Sequence, residues 1–435
     1  MDSLWLDTSA LPRFGALEHD IETDVLIVGG GLAGILCAYM LEQAGVDYVL
    51  VEAKELCSGT TKNTTAKITS QHGLLYDKLI KTYGAEAAGL YLRANEAALE
   101  RYRQICKNID CDFQEQDNYV YSLHDRRKLE REAHALQRLG FAAELVSQLP
   151  LPIQTAGAVR FGRQAQFHPL KFVSAIVPGL KIYENTKVLE LMPGEALTDR
   201  GRVRAKKIIL ATHFPILNKH GGYFLKLYQS RSYVLALRGA AEINGMYVDE
   251  ADKGLSFRGW GELLLLGGGG HRTGKKGGGW RELAAFANRA YPQAEEMARW
   301  AAQDCMSLDG VPYIGRYSPK TEGLYVATGF NKWGMTSSMA AAMLLTDLVQ
   351  GKENPYAELF CPSRPMLHPQ LAVNVLETAV NFVTPTVPRC PHMGCALKYN
   401  DQEHSWDCPC HGSRFTEKGQ LIDNPATDDC SEKSS

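Results

Sequence analysis

Two short apolar runs, DVLIV at 24–28 and YVLV at 48–51, bracket a stretch whose apolar residues recur with helical spacing. Short runs without polar interruptions suit parallel strands buried on both faces. The stretch between them halts at Gly45, a plausible helix stop. Residues 24–52 are therefore predicted as strand, tight turn, helix and strand. Further along, the pattern predicts amphipathic helices over 85–107 and 126–139. An alternating strand set follows over 181–211, ending in KKIILAT, and then a strand-rich region over 223–266. A helix over 333–350 ends before Gly351. Proline punctuates 352–370, and a helix-like LAVNVLETAVNFV follows at 371–383. The whole of 352–385 is expected to be a linker.

The predicted turn after the first strand carries Gly29, Gly31 and Gly34, spaced G-x-G-x-x-G. The first glycine makes the turn, the second lets backbone approach a pyrophosphate, and the third lets helix and strand pack closely. The helix N-terminus then meets the phosphates with its partial positive charge. Glu52 ends the next strand and is placed to accept from a ribose hydroxyl. The spacing does not choose between NAD and FAD. A second glycine-rich stretch, GGGGHRTGKKGGGW at 267–280, nearly fits a phosphate loop through Gly269, Gly274 and Lys275. Lys276 stands where a magnesium-binding Ser or Thr belongs, so a mobile glycine loop gating a pocket is the better expectation.

With 435 residues, 45% hydrophobic and 22% charged, the chain has room for two or three domains of ordinary globular composition. A formal net charge of −2 gives no pull toward nucleic acid or an anionic membrane. No apolar run approaches a membrane span, and residues 1–14 lack the form of a secretory signal. A cytoplasmic location is expected. In that compartment Cys37, Cys57, Cys106, Cys111, Cys305 and Cys361 read as free thiols. Five others crowd the tail.

Three stretches sharpen the first domain: SGTTKNTTAKITSQHG at 58–73, DGVPYIGR at 309–316 and GLYVATGFNKWGMTSSMAAAMLLTDLVQG at 323–351. With the glycine turn, they resemble the D-amino-acid-oxidase-like (DAO) family of FAD enzymes over about 22–351. That family includes glycine oxidase, sarcosine oxidase and amino-acid dehydrogenases. The resemblance implies an α/β (α+β) fold with a Rossmann-like FAD lobe, about 20–75, 150–215 and 300–351. A sheet-rich substrate lobe, about 76–150 and 216–299, is interleaved with it. It implies FAD contacts at Gly29, Gly31, Gly34, Glu52, Thr60, Thr61, Gly329, Gly334, Met335 and Thr336. The segment ILATHFP, 209–215, has His213 where the family usually shows the glycine of A-T-G. Weak catalytic candidates are Lys332, His72, Arg231, Tyr233 and Arg258, with Tyr247 and His271 nearby in the chain. An arginine among them would hold a substrate carboxylate. Cys305 is expected to be a buried thiol, with covalent attachment of FAD as the lesser alternative.

The tail pairs CPHMGC at 390–395 with CPCHGSRF at 408–415. Each loop offers one cysteine and one histidine as ligands, Cys390 with His392 and Cys408 with His411. A zinc site and a Rieske [2Fe–2S] centre both draw on such residues. The pattern resembles the Rieske family, in the type with a loop-to-loop disulfide. On that match Cys390 and Cys408 hold one iron, His392 and His411 the other, and Cys395 bridges Cys410. Cys430 would be a free tail thiol. The domain, 386–435, looks like an abbreviated all-β module, with little chain before or after its loops.

Together these features predict an FAD-dependent oxidoreductase acting on a small amine or amino-acid-like substrate. Electrons would pass singly from FAD to the Rieske cluster and on to an external acceptor. The alternatives are an oxidase using oxygen beside a structural or regulatory cluster, and a protein-to-protein electron-transfer or redox-sensing module.

Overall fold

In the computed structural model, residues 3–217, 220–385 and 388–430 are described. The glycine-turn unit folds as its pattern dictates. Strand Ile21–Val28 runs parallel to Tyr48–Val51 on one side and to Arg202–Leu210 on the other. The last four residues of Ile21–Val28 and all of Tyr48–Val51 are buried, as uninterrupted apolar runs require. Helix Leu32–Gln43 packs on helix Gly334–Val349, which the sequence predicted over 333–350. The sheet continues through Leu324–Thr328 to Tyr313–Arg316 at one edge and ends at Ile182–Tyr183 on the other.

A second, larger sheet forms the substrate lobe. Its order runs from Glu295–Ser307 through Leu227–Arg238, Leu263–Arg272, Ser256–Trp260, Met246–Asp249, Gln114–Ser122 and Gly157–Gln166 to Lys67–Ile68. The lobes interleave more finely than the sequence suggests. Gly157–Gln166 and Glu295–Ser307 pair into this sheet, although their positions in the chain place them largely with the FAD lobe. The predicted helix over 85–107 is the C-terminal part of a longer one, Tyr76–Cys106, broken by non-helical backbone at Gly84.

The tail forms a four-stranded antiparallel sheet of three-residue strands, Lys398–Asn400, Ser405–Asp407, Arg414–Thr416 and Leu421–Asp423. The segment before it is no open tether. Helix Pro369–Val383 turns its polar Asn374 and Asn381 inward. Asn374 accepts from Arg272 and donates to the Leu225 carbonyl, both in the substrate lobe. Cys430 is a free thiol, as expected. It is buried, with Sγ 3.1 Å from the Arg389 carbonyl oxygen. Among the described residues no helix is long and apolar enough to cross a membrane.

Candidate functional site

Between the two large sheets lies a cavity of about 740 Å³. At one end is the glycine turn. A Cβ at Gly34 would sit 1.9 Å from the Gly29 carbonyl oxygen, so only glycine lets this helix meet its strand. At Gly31 the nearest atom to such a Cβ is Thr61 Oγ1 at 3.5 Å, and the position opens onto the cavity. Glu52 also lines it, accepting from the Gly30 and Lys54 amides at 2.6 and 2.9 Å. Met335 and Gly334 bring the N-terminus of helix Gly334–Val349 to the cavity. The volume, the open glycine backbone and the helix ends suit a dinucleotide flavin.

Other expected contacts are engaged elsewhere. Thr61 Oγ1 accepts from the Leu32 amide at the first helix, and Thr60 Oγ1 donates to the Gln303 carbonyl. Both residues border the cavity, but these hydroxyls organise its walls. Gly329 and Thr336 lie behind the lining; Thr336 Oγ1 donates to the Thr69 carbonyl at 2.9 Å. His213 keeps the turn of a glycine by adopting φ +65°.

The catalytic candidates scatter. His72 borders the cavity, stacked on Trp333 with ring centroids 5.1 Å apart. Burial pushes its pKa down to about 3, so it stays neutral, held by Tyr91, Thr69 and Thr336. Lys332 borders the cavity and donates to the Asp252 carbonyl. Tyr247 is spent on the Asn244 carbonyl. Arg258 is fully buried and donates to the Gln166 side chain and the carbonyls of Thr65 and Phe167. Arg231 is ion-paired to Glu403 of the tail. Neither arginine is free to hold a substrate carboxylate. Cys305 is a buried thiol bordering the cavity, its Sγ near Thr328 Oγ1.

Sequence reasoning missed two charged groups on the cavity wall. Lys67 lines the cavity and its Nζ donates to Thr65 Oγ1 at 3.1 Å; burial and then the Arg258 charge push its pKa down to about 7. Asp304 is pushed up to about 6 by burial, against the pull of Lys332, Ser232 and Arg231. Lys67 lies within the 58–73 stretch, but nothing in the sequence marks it as part of the cavity wall.

At the tail, His392 and His411 approach edge to face with centroids 5.0 Å apart. Neither ring nitrogen of His411 has a well-formed hydrogen bond, although both are buried; the Phe224 backbone offers a marginal one. Burial pushes His392 to about 4 and His411 to about 3, leaving neutral imidazoles suited to a metal. The Cys390 and Cys408 thiols touch on the other side. Paired buried thiols beside two neutral imidazoles fit a two-iron, two-ligand-type cluster. Cys395, Cys408 and Cys410 also converge, their sulfurs within 4.8 Å of one another. The expected Cys395–Cys410 bridge is not formed in this structure, where all eleven cysteines are free.

Residues 24–348 match the family described as DAO, FAD dependent oxidoreductase. The chain belongs to this family. Residues 372–432 match the Rieske [2Fe-2S] domain, which begins inside the expected linker. FAD and a Rieske [2Fe–2S] cluster are thus the cofactors of this oxidoreductase. Its relative YhfW of Bacillus subtilis (strain 168), named for a Rieske 2Fe-2S centre, is 35% identical, with 98% of this chain and 96% of that protein aligned. The gamma-glutamylputrescine oxidoreductase of Escherichia coli (strain K12) is 24% identical over 78% of this chain and 86% of its own. Among solved structures, glycine oxidase from Geobacillus kaustophilus shares the fold, with a TM-score of 0.65 and 21% identity over 79% of this chain and 99% of that one.

The oxidoreductase holds its Rieske domain against the substrate lobe through a dense polar seam. Gln229, on a substrate-lobe strand, donates to the carbonyls of His411 (3.0 Å) and Asn424 (2.8 Å) and accepts from His213 Nε2 (3.1 Å). Gln303 donates to the Gly412 carbonyl. Arg272 donates to the carbonyls of Pro409 and Cys410. The glycine-rich loop at 267–280 is pinned here, not a mobile gate. A Cβ at Gly274 would sit 2.6 Å from the Pro409 amide nitrogen, so glycine allows the domains to touch. Phe214, fully buried, lies edge-on to both His392 and His411 at 6.2 Å.

Proposed function

We propose that the protein is a dehydrogenase of a small amine, whose electrons pass through FAD and singly through the Rieske cluster to an external acceptor. When bound, FAD accepts a hydride from carbon, and the cluster, raised in potential by its imidazoles to about −150 to +300 mV, accepts single electrons. The observation that carries the reading is Phe214. It follows directly on Thr212 and His213, which border the FAD cavity, and its ring meets both cluster histidines. The two histidines that would hold one iron therefore meet the flavin lobe through Phe214, His411 buried and His392 half-buried, and the abbreviated Rieske scaffold is covered in part by its partner domain.

The amine half of the substrate description is the better supported. Arg231 and Arg258, the arginines that would anchor a carboxylate, are both consumed within the protein. The anionic wall offers Asp304, which attracts an ammonium group. Hydride can leave only from an amine with a free lone pair, so the ammonium must first lose a proton. Lys67 Nζ, half neutral near pH 7 and on the same cavity, can take it.

An anaerobic titration with a panel of primary, secondary and acylated amines tests the reading. The flavin absorption should bleach first and the Rieske absorption next. A reduced flavin beside a cluster that stays oxidised would exclude the relay.

A further inference from the structure

We infer that the Rieske domain completes the FAD site, its segment 421–427 closing the adenosine end of the cavity, so that the two cofactors bind cooperatively. The family match ends at residue 348, yet Leu421, Asp423, Asn424 and Thr427 border the same cavity as the glycine turn. Their place along it follows from contacts. The Thr186 amide donates to the Glu52 carbonyl, and Lys187 Nζ reaches the Thr427 carbonyl at 2.6 Å. Glu52, the ribose acceptor, is thus joined to the Rieske segment through two adjacent residues.

Asn424 fixes the closure. Its Nδ2 donates to the carbonyls of Thr212 (2.6 Å) and Phe214 (2.8 Å), while its own carbonyl accepts from Gln229. Ala211, next to Thr212, is the residue against which Gly29 turns; a Cβ at Gly29 would lie 2.7 Å from its carbonyl oxygen. One Rieske side chain therefore braces the backbone that backs the phosphate turn. The same segment continues strand Arg414–Thr416 through Leu421–Asp423, and Gly412 and His411 lie just before that strand. Ordering the cluster loops orders the wall of the FAD cavity. Coupling of this kind is reciprocal: whatever affinity the cluster adds for FAD, FAD adds for the cluster.

The test uses the full-length protein, resolved of FAD and titrated with FAD by flavin fluorescence. Asn424→Ala should raise the FAD Kd about tenfold, the effect of losing two hydrogen bonds at a closed wall. The Rieske electron paramagnetic resonance signal should persist. A rise of less than threefold overturns the inference. If Asn424→Ala also loses its cluster, unmodified protein decides: loss of the cluster to an iron chelator should be several-fold slower with FAD bound. Equal rates with and without FAD overturn it. Neither measurement needs substrate, so failure here is separable from failure of the electron relay.

Discussion

Arg231 and Glu403 form a buried ion pair across the boundary between the substrate lobe and the Rieske domain, Nε to Oε1 at 3.0 Å, with side chains only 4% and 8% exposed. Arg414 and the Tyr233 hydroxyl meet the same carboxylate at 2.7 and 2.9 Å. Burial alone would raise the Glu403 pKa; Arg231 and Arg414 overturn that and hold it at about 2. Its stabilisation is therefore present above the unfolded value near 4.5 and is lost as pH falls from there through about 2. Glu403→Gln leaves the buried Arg231 guanidinium without its carboxylate, while Arg414 keeps Asp407 and Asp423, and should cost about 3–5 kcal/mol in denaturant unfolding at pH 7. It should also flatten the acid limb of stability between about 4.5 and 2. A variant as stable as the parent would show the pair to be solvated.

On the proposed relay, Phe214 stands between the FAD cavity and the cluster histidines. Phe214→Leu keeps most of the apolar volume but removes the ring that meets both histidines. Substrate should reduce the flavin at the parental rate, while the cluster follows several-fold more slowly in stopped-flow absorbance. Equal slowing of both phases would assign Phe214 to packing of the FAD lobe. An unchanged second phase would remove it from the route between the centres.

What the sequence disclosed is local, and what it concealed is long-range. Gly29, Gly31 and Gly34 act within one turn, so their spacing alone announces the turn's geometry. The two ligand loops do the same, since each donor pair sits within four residues. Arg231 is separated from Glu403 by 172 positions, and no local pattern joins them. Read alone, Arg231 is a candidate substrate anchor; read in the fold, it is a domain clamp. The Rieske scaffold looked too short for the same reason. Its missing cover comes from Phe214, Phe224 and Gln229, residues of a different domain. Helix Pro369–Val383 shows the converse. Its apolar pattern suggested a helix, but the buried side chains are polar: Asn374 meets Arg272 and the Leu225 carbonyl of the surface it covers, and Asn381 donates back to Glu377 of its own helix.

Cys395 and Cys410 are proposed to bridge the ligand loops in the oxidised protein. Both are buried and converge with Cys408, and a bridge closing them would clamp the loops around the cluster. Alkylation under denaturing conditions, read by mass spectrometry, should leave these two unlabelled until reductant is added. Cys395→Ser should retain the cluster at first but lose it faster on warming. Full labelling of both residues without reductant would exclude the bridge.

Lys67 makes the sharpest prediction about chemistry. Its ammonium form is disfavoured first by burial and then by Arg258, a guanidinium with no carboxylate among its hydrogen-bond partners. The neutral amine needed to deprotonate substrate accumulates as pH rises through about 7. The rate of flavin reduction should therefore climb from pH 6 to 8 and then level, apart from any ionisation of the substrate itself. Lys67→Met should abolish that limb and slow flavin reduction about 10²–10⁴-fold, the usual contribution of a positioned base. Lys67→Arg keeps the charge but not the proton-accepting capacity, and should behave like Lys67→Met. Should Lys67→Met retain FAD and the parental pH profile, the proton passes elsewhere, and Asp304, raised to about 6 on the same wall, becomes the group to change.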